Sequence, residues 1–234
     1  MLKVENINAG YGFLQVLRNV NLEISDGEFI SLLGPNGAGK TTTLRTISGL
    51  IKPINGRIVF NDEDITRLST HDIIHRGISY VSEDLNLFVN MTVFENLLMG
   101  AYIIKDEKII FDTIDFIFEL FPRLEERKTQ LAGTLSGGER KMLAIARGLM
   151  SSPKLILVDE PSLGLQPNLA ETVFETLIKL HNDGLTILLV EQDVMASLEI
   201  TDRTYILEKG EIVLQGKSKE LQNNEHVKNI YLGV

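Results

Sequence analysis

The sequence contains no cysteine, which excludes disulfide bonds and thiolate metal sites. Basic residues are fewer than acidic ones, 23 Lys and Arg against 32 Asp and Glu, and the formal net charge is -9. Nonspecific nucleic-acid binding depends on clustered Lys and Arg, so we expect no nucleic-acid partner. Any phosphate group bound here must be held by a local arrangement of residues.

Long apolar segments are also missing. No uninterrupted apolar stretch approaches the roughly 18 residues that cross a bilayer, and the first residues do not follow the pattern of a signal peptide. If the protein works at a membrane, we expect other chains to supply the spanning part. The 234 residues, 44% hydrophobic and 24% charged, have the composition of an ordinary globular domain.

The pattern of apolar residues predicts an α/β domain. Strands are expected over 2–8, 16–24, 28–33, 77–81, 154–158 and 185–190, within 54–65 beside an Asn55-Gly56 turn signal, and in a hairpin over 204–216. A helix is predicted from Lys40 to Gly49, and the period is helical from about 84 to 150. Within that block, one buried helical stripe is predicted to contain Ile110, Phe111, Ile114, Ile117, Phe118 and Phe121. Strands separated by helical segments are typical of a parallel sheet with crossover helices, so we predict one compact domain with a helical lobe.

The segment GPNGAGKT, residues 34–41, matches the P-loop pattern G-x-x-x-x-G-K-[ST]. It follows the apolar strand FISLL and begins a helix, which is the context that the phosphate-binding mechanism requires. The glycines allow successive backbone N–H groups to surround phosphate oxygens at a helix N-terminus. Lys40 is predicted to reach the β- and γ-phosphates, and Thr41 to bind Mg²⁺ through its hydroxyl.

Two carboxylates follow a second apolar strand in the segment LILVDEP. Asp159 and Glu160 come directly after this strand, at the sheet edge where open α/β sheets bind ligands. Asp159 is predicted to hold Mg²⁺, and Glu160 to act as the general base that activates water. The P-loop and these acids together predict a nucleotide with β- and γ-phosphates as the ligand.

The segment LSGGER, residues 135–140, places two glycines at the start of a helix. Ser136 and Glu139 have the spacing of a capping box, and Thr92 and Glu95 form a second one. The cap does not require Gly137 and Gly138, each of which costs about 1 kcal/mol relative to alanine within a helix.

The ordered set of P-loop, LSGGER and LILVDEP resembles that of ATP-binding cassette (ABC) proteins along the whole chain. The resemblance implies a P-loop NTPase fold with a RecA-like parallel sheet, an antiparallel β subdomain and a helical subdomain. It also implies that two cassettes pack head to tail, so that the LSGG turn of one closes over the nucleotide of the other. Glycines there let the backbone approach the γ-phosphate closely. The residues then expected across the dimer interface are Ser136, Gly137, Gly138 and Glu139.

The same resemblance assigns further site residues. It implies that Tyr11 stacks on adenine beside Val16 and that Gln192 contacts the γ-phosphate at a position where most cassettes have histidine. The expected nucleotide-binding residues are Tyr11, Val16, Gly34, Pro35, Asn36, Gly37, Ala38, Gly39, Lys40, Thr41 and Thr42. The expected catalytic residues are Glu160, Lys40 and Gln192, and the expected Mg²⁺ contacts are Thr41, Asp159 and Glu83.

Segments including ELFPRLEER, DEPSLGL and LLVEQ resemble those of LivF-type ATP-binding subunits of branched-chain amino acid importers. Glu83 stands where most cassettes have glutamine, and it either contacts Mg²⁺ or contacts only the membrane partner. Gln166 replaces the usual aspartate after the catalytic glutamate. Residues 84–86 are Asp-Leu-Asn instead of the subgroup's usual Gly-Arg-Arg, in the segment expected to face a transmembrane partner.

These features predict the ATPase subunit of an amino-acid importer, at the cytoplasmic face of the membrane. The expected partners are transmembrane permease subunits, a second cassette, identical or related, and indirectly a solute-binding protein. The predicted boundaries within the single domain are 1–83 and 151–215 for the core with its β subdomain, 84–150 for the helical subdomain and 216–234 for the tail. The alternatives are a lipopolysaccharide-export or other ABC cassette and a regulatory ABC ATPase outside transport. A P-loop kinase or GTPase is disfavoured by the LSGG segment, and a GTPase also because the N-K-x-D motif that reads guanine is absent.

Overall fold

The computed structural model describes residues 1–224 and residue 227. The strands of this part of the chain are β1 (Leu2–Tyr11), β2 (Leu14–Ile24), β3 (Phe29–Leu33), β4 (Asn55–Phe60), β5 (Glu63–Asp64), β6 (Ile78–Val81), β7 (Leu155–Asp159), β8 (Thr186–Glu191), β9 (Arg203–Glu208) and β10 (Glu211–Lys217). Its helices are α1 (Lys40–Ile47), α2 (Thr70–His75), α3 (Val93–Gly100), α4 (Glu107–Leu120), α5 (Pro122–Glu126), α6 (Gly137–Leu149), α7 (Pro167–Asn182), α8 (Val194–Ile200) and α9 (Ser218–Leu221), with a 3-10 turn at Ala132–Thr134. No helix in these described residues combines the length and the apolar character needed to cross a membrane.

The strands form two sheets, as predicted. One is antiparallel, in the order β2-β1-β4-β5, and the other has the order β10-β9-β3-β8-β7-β6. In the second sheet all neighbours are parallel except the β9-β10 hairpin at its edge. This is the P-loop NTPase core with an antiparallel β subdomain.

The central strands are buried on both faces, which explains their continuous apolar sequence. In β8, Ile187 and Leu189 belong to the core shared with the helical lobe, whereas Leu188 and Val190 belong to the core shared with the antiparallel sheet. The parallel sheet is therefore the middle layer of the domain, and it aligns the ends of β3, β7 and β8 along one edge.

The helical block contains α3 to α6, and both predicted capping boxes are present at the starts of α3 and α6. Helix α6 packs against α3 and also against β6 and β7, so it links the lobe to the parallel sheet.

Two local predictions were wrong. Phe111 is 53% exposed instead of buried on the stripe, because it lies about 100° around the helix from Ile110 and at the margin of the apolar face. Asn55 and Gly56 do not form a hairpin turn but begin β4, where Gly56 has φ 93° and a Cβ would lie 2.4 Å from the Asn6 carbonyl oxygen. Within the predicted tail 216–234, residues 216–224 and 227 are described and contain the end of β10 and all of α9, and the other tail residues lie outside the described part of the chain.

Candidate nucleotide site

A cleft of about 640 Å³ lies at the edge of the parallel sheet, within the range typical of small-molecule sites. It brings together predicted residues from distant parts of the sequence: Tyr11, Val16, Asn36, Gly37, Gly39, Lys40, Thr41, Thr42, Glu83, Glu160 and Gln192. Leu14 and Leu163 complete its lining. The cleft therefore contains most of the residues that the motifs singled out.

The P-loop leaves the start of α1 open toward this cleft. Gly37 and Gly39 have φ 78° and 110°, in the left-handed region that glycine adopts without strain. No side chain caps the N-terminus of α1. Free backbone N–H groups and the positive end of the helix dipole are the features that bind a phosphate group.

Three predicted P-loop residues support the loop without lining the cleft. Gly34 packs so closely on β9 that a Cβ would lie 2.1 Å from the Leu207 carbonyl oxygen, and Ala38 is 3% exposed. Pro35 is exposed, and its carbonyl oxygen lies 3.4 Å from Lys40 Nζ. Their roles are therefore in the shape of the loop.

Lys40 is buried beneath the loop. Its Nζ donates a hydrogen bond of 2.9 Å to the Gly34 carbonyl oxygen and lies 3.4 Å from Glu160 Oε1. The ammonium group is thus held between the phosphate loop and the predicted general base.

Glu160 is 6% exposed and has φ 46°, an uncommon conformation for a residue other than glycine. Its Oε2 accepts a hydrogen bond of 2.6 Å from Gln192 Nε2. The carboxylate is therefore positioned by an amide on one side and by the Lys40 ammonium on the other.

Asp159 is 2% exposed, and two hydroxyl groups hold its carboxylate. Thr41 Oγ1 donates to Oδ1 at 3.2 Å, and Tyr80 OH donates to Oδ2 at 2.8 Å. Burial raises the pKa of Asp159 to about 6, an effect that these two hydrogen bonds oppose. A nearby divalent cation would favour the ionised form, and the oxygen ligands of Asp159 and Thr41 suit Mg²⁺.

Tyr11, the residue predicted to stack on adenine, is 44% exposed, and Val16, which also lines the cleft, is half-buried. The Tyr11 hydroxyl accepts a hydrogen bond of 3.2 Å from Arg45 Nη1. This contact fixes the ring at the mouth of the cleft.

The residues from Ser136 to Glu139 do not line this cleft. Ser136 and Gly137 are exposed, and a Cβ on Gly137 would meet nothing within 4 Å. Gly138 is different, since a Cβ there would lie 2.9 Å from Leu169 Cδ1 in the same chain. A side chain at 138 would therefore require the Leu169 side chain to shift, whereas packing within the chain leaves space at 137.

Sequence reasoning missed several residues around the site. Tyr80 reaches Asp159 because β6 pairs with β7. Lys141 Nζ donates a hydrogen bond of 2.9 Å to the Glu160 carbonyl oxygen. The carboxylate of Glu191 accepts hydrogen bonds from the backbone N–H groups of Ser162 and Gln192. The usable signal was the position of Glu191, which ends a buried strand directly before Gln192.

Comparison with known proteins places these features in context. The family profile described as ABC transporter matches residues 17–163. The chain is 43% identical over 234 residues to the high-affinity branched-chain amino acid transport ATP-binding protein BraG of Pseudomonas aeruginosa, covering 100% of both chains. It is 40% identical to the probable branched-chain amino acid transport ATP-binding protein LivF of Archaeoglobus fulgidus, covering 100% of this chain and 99% of the relative.

A third relative, the lipopolysaccharide export system ATP-binding protein LptB of Haemophilus influenzae, is 37% identical over 100% of this chain and 97% of its own. Among solved structures, the ADP conformation of an ATP-binding cassette from an ABC transporter has a TM-score of 0.87 at 31% identity, covering 100% of this chain and 99% of that one. A dimeric bacterial ABC transporter cassette has a TM-score of 0.80 at 29% identity, and the match covers 93% of this chain and 99% of that one.

Proposed function

Because this chain belongs to the ABC transporter family, we propose that it is the ATP-hydrolysing subunit of a membrane importer for branched-chain or related amino acids. The observation that carries the ATPase assignment is the Glu160 carboxylate held between Gln192 and Lys40 beside the P-loop. The amino-acid assignment is supported by the two relatives at 43% and 40% identity whose names specify branched-chain amino acid transport.

ATP is the proposed substrate. Tyr11 stacks on adenine with Val16 beside it, and the backbone N–H groups of the P-loop residues that line the cleft, Asn36, Gly37 and Gly39 to Thr42, surround the phosphates. Lys40 turns from the Gly34 carbonyl oxygen toward the β- and γ-phosphates. Its location at the base of the cleft gives it access to both groups.

Mg²⁺ is the proposed cofactor, held by Thr41 and Asp159 with Glu83 at the open side of the cleft. When bound, it supplies positive charge that offsets the charge of the transferring phosphoryl group. Glu83 is exposed, which is compatible with either a metal contact or a contact with a membrane subunit.

Glu160 orients the attacking water and accepts its proton. Gln192 positions the carboxylate and donates an amide hydrogen bond to a phosphate oxygen, and it stays neutral at every physiological pH. Lys40 stabilises the charge that develops on the phosphoryl oxygens.

A second cassette completes each site. The turn from Ser136 to Glu139 closes over the γ-phosphate bound by the other chain, and solved dimeric relatives support this assembly. The helical subdomain, 84–150, then transmits closure to transmembrane subunits, and the core consists of 1–83 and 151–215. The protein is peripheral at the cytoplasmic face, and a solute-binding protein supplies the amino acid on the other side.

The test has two arms. Purified chain with Mg-ATP should release phosphate, and the Glu160→Gln variant should not. The tagged chain, isolated from its native membrane with its membrane subunits and reconstituted in vesicles, should then drive ATP-dependent uptake of radiolabelled leucine. Phosphate release without leucine uptake would contradict the importer assignment and favour the lipopolysaccharide-export or regulatory alternatives, the first of which is supported by the relative at 37% identity.

A further inference from the structure

Lys141 is a buried amine outside the nucleotide cleft. It is 8% exposed, it lies on α6, and it is not part of the cleft lining. Buried lysines are rare unless they are paired, so its partner is informative. That partner is the main chain of the proposed general base: Nζ donates a hydrogen bond of 2.9 Å to the Glu160 carbonyl oxygen.

The main chain at Glu160 needs such support. Its φ of 46° lies in the left-handed region, which a residue with a Cβ keeps only where the surroundings hold it. The Glu160 N–H donates to the Val190 carbonyl oxygen at 2.8 Å, and the carbonyl oxygen accepts from Lys141. Both peptide groups that flank the Cα are therefore fixed, and with them the direction of the carboxylate.

Three acidic side chains also favour the charged form of Lys141. Glu191, Glu83 and Glu160 all act on the Lys141 ammonium and oppose the lowering of its pKa by burial. Glu191 is itself buried and holds the N–H groups of Ser162 and Gln192, the residue that binds the Glu160 carboxylate. The ammonium therefore lies among the groups that position the general base, without contacting the substrate cleft.

The location of Lys141 on α6 gives it a second connection. Ser136 caps this helix five residues earlier, which corresponds to about 7.5 Å along the axis. A shift of the Ser136–Gly138 turn against a bound nucleotide would move the same rigid helix that holds the Glu160 carbonyl group.

We propose that Lys141 is a positioning residue: it orients the Glu160 carboxylate toward the attacking water, and through α6 it couples this carboxylate to the Ser136–Gly138 turn that closes over the nucleotide of the second cassette. This inference rests on the proposed ATPase function. Because Lys141 is proposed to orient the base and not to bind ATP, its replacement should lower kcat and leave the KM for ATP unchanged.

The test compares steady-state ATP hydrolysis by the purified full chain carrying Lys141→Met with the wild type. Methionine keeps much of the length and removes the donor, so we expect kcat to fall about 10- to 100-fold with KM within about twofold, the effect of losing one charge-assisted hydrogen bond. Lys141→Arg keeps a charged donor and should stay within about threefold of the wild-type kcat. The control is Lys179→Met on α7, an exposed lysine that does not line the cleft, which should behave as wild type.

A double variant separates positioning from general packing. In a Glu160→Gln background there is no base to orient, so adding Lys141→Met should change the residual turnover by less than about twofold. If Lys141→Met fails to fold, Lys141→Gln replaces it, since the amide is one bond shorter and should lower kcat about 10-fold at unchanged KM.

The outcomes separate this inference from the proposed function. A wild-type chain that does not hydrolyse ATP overturns the function and the inference with it. If the wild type is active and Lys141→Met has the same kcat as Lys179→Met, the inference alone is overturned. The same holds if Lys141→Met and Lys141→Arg lower kcat equally. It also holds if Lys141→Met lowers kcat in the Glu160→Gln background as much as it does in the wild type.

Discussion

Gly137→Ala should stabilise the isolated chain and yet abolish most of its ATPase activity. Gly137 is the first residue of α6, its φ is not positive, and a Cβ would meet nothing within 4 Å. Alanine is therefore accommodated in the chain by itself. Its higher helix propensity is worth up to about 1 kcal/mol, which for a chain of this size raises Tm by about 2–4 °C.

The activity should move in the opposite direction. In the proposed dimer the added methyl group faces the γ-phosphate bound by the other cassette and prevents close approach of the backbone. Losing one hydrogen bond between an N–H group and a charged oxygen costs about 1.5–3 kcal/mol. This corresponds to a decrease of about 10- to 100-fold in kcat.

The assay pairs thermal unfolding without nucleotide with steady-state ATP hydrolysis of the same preparation. Substitutions at Gly138 do not separate the two effects, because the new side chain in Gly138→Ala or Gly138→Asp also contacts Leu169 within the chain. A Leu169→Ala exchange should relieve the stability defect of Gly138→Ala but not its activity defect. If Gly137→Ala raised Tm and left kcat unchanged, the glycine would be only a tolerated helix start and the proposed role of the turn would be refuted.

Three further predictions address the cleft. Glu160→Gln should lower kcat by about 10²- to 10⁴-fold, the usual contribution of general acid-base catalysis, and should retain an ATP-bound dimer in size-exclusion chromatography; hydrolysis near the wild-type rate would remove Glu160 from this role. Asp159→Asn should remove a pH dependence from the stability of the nucleotide- and metal-free protein: relative to the wild type, the variant should gain up to about 3 kcal/mol between pH 4 and pH 7, because a raised pKa of about 6 against the ordinary 3.8 means that the wild type loses stability as pH rises between these values. Denaturation curves at several pH values measure this difference, and a difference that did not change with pH would contradict the assignment. Tyr11→Ala should raise the KM for ATP about 10-fold with little change in kcat, since stacking of a base on an aromatic ring contributes about 1–3 kcal/mol; Tyr11→Phe is the control, and equal KM values for both variants would exclude stacking.

The fold was largely predictable because its central strands are apolar on both faces. The predicted segments 154–158 and 185–190 differ from β7 and β8 by one residue at either end. The errors occurred where tertiary context outweighed a local signal: Asn55-Gly56 is a common hairpin turn, but here Gly56 allows a close approach to β1. Phe111 was misplaced because helical periodicity does not specify how wide the buried face is.

Where a motif fixes the chemistry by local order, as in the P-loop and at Asp159-Glu160, the sequence predicted which residues meet at the edge of the sheet, and their roles stay predictions. The sequence did not predict Lys141, Tyr80 and Glu191 as site residues, because their partners are distant in sequence. A single lysine, tyrosine or glutamate is also most often a surface or core residue. Lys141 Nζ meets Glu160 only because α6 packs against β7. Such contacts depend on the packing of elements, which hydrophobic patterns specify only coarsely.

Asp159 and Glu160 are adjacent in sequence but have different environments, and the backbone explains why both can act on one nucleotide. A continued strand would direct consecutive side chains to opposite faces of the sheet. The strand instead ends at Asp159, and the left-handed conformation of Glu160 turns the chain there. Asp159 consequently meets the Thr41 hydroxyl, while Glu160 meets the Lys40 ammonium on the same P-loop helix. Because Val190 and Lys141 hold the two flanking peptide groups of Glu160, the proposed division of the two acids between metal binding and water activation would depend on backbone support from β8 and α6.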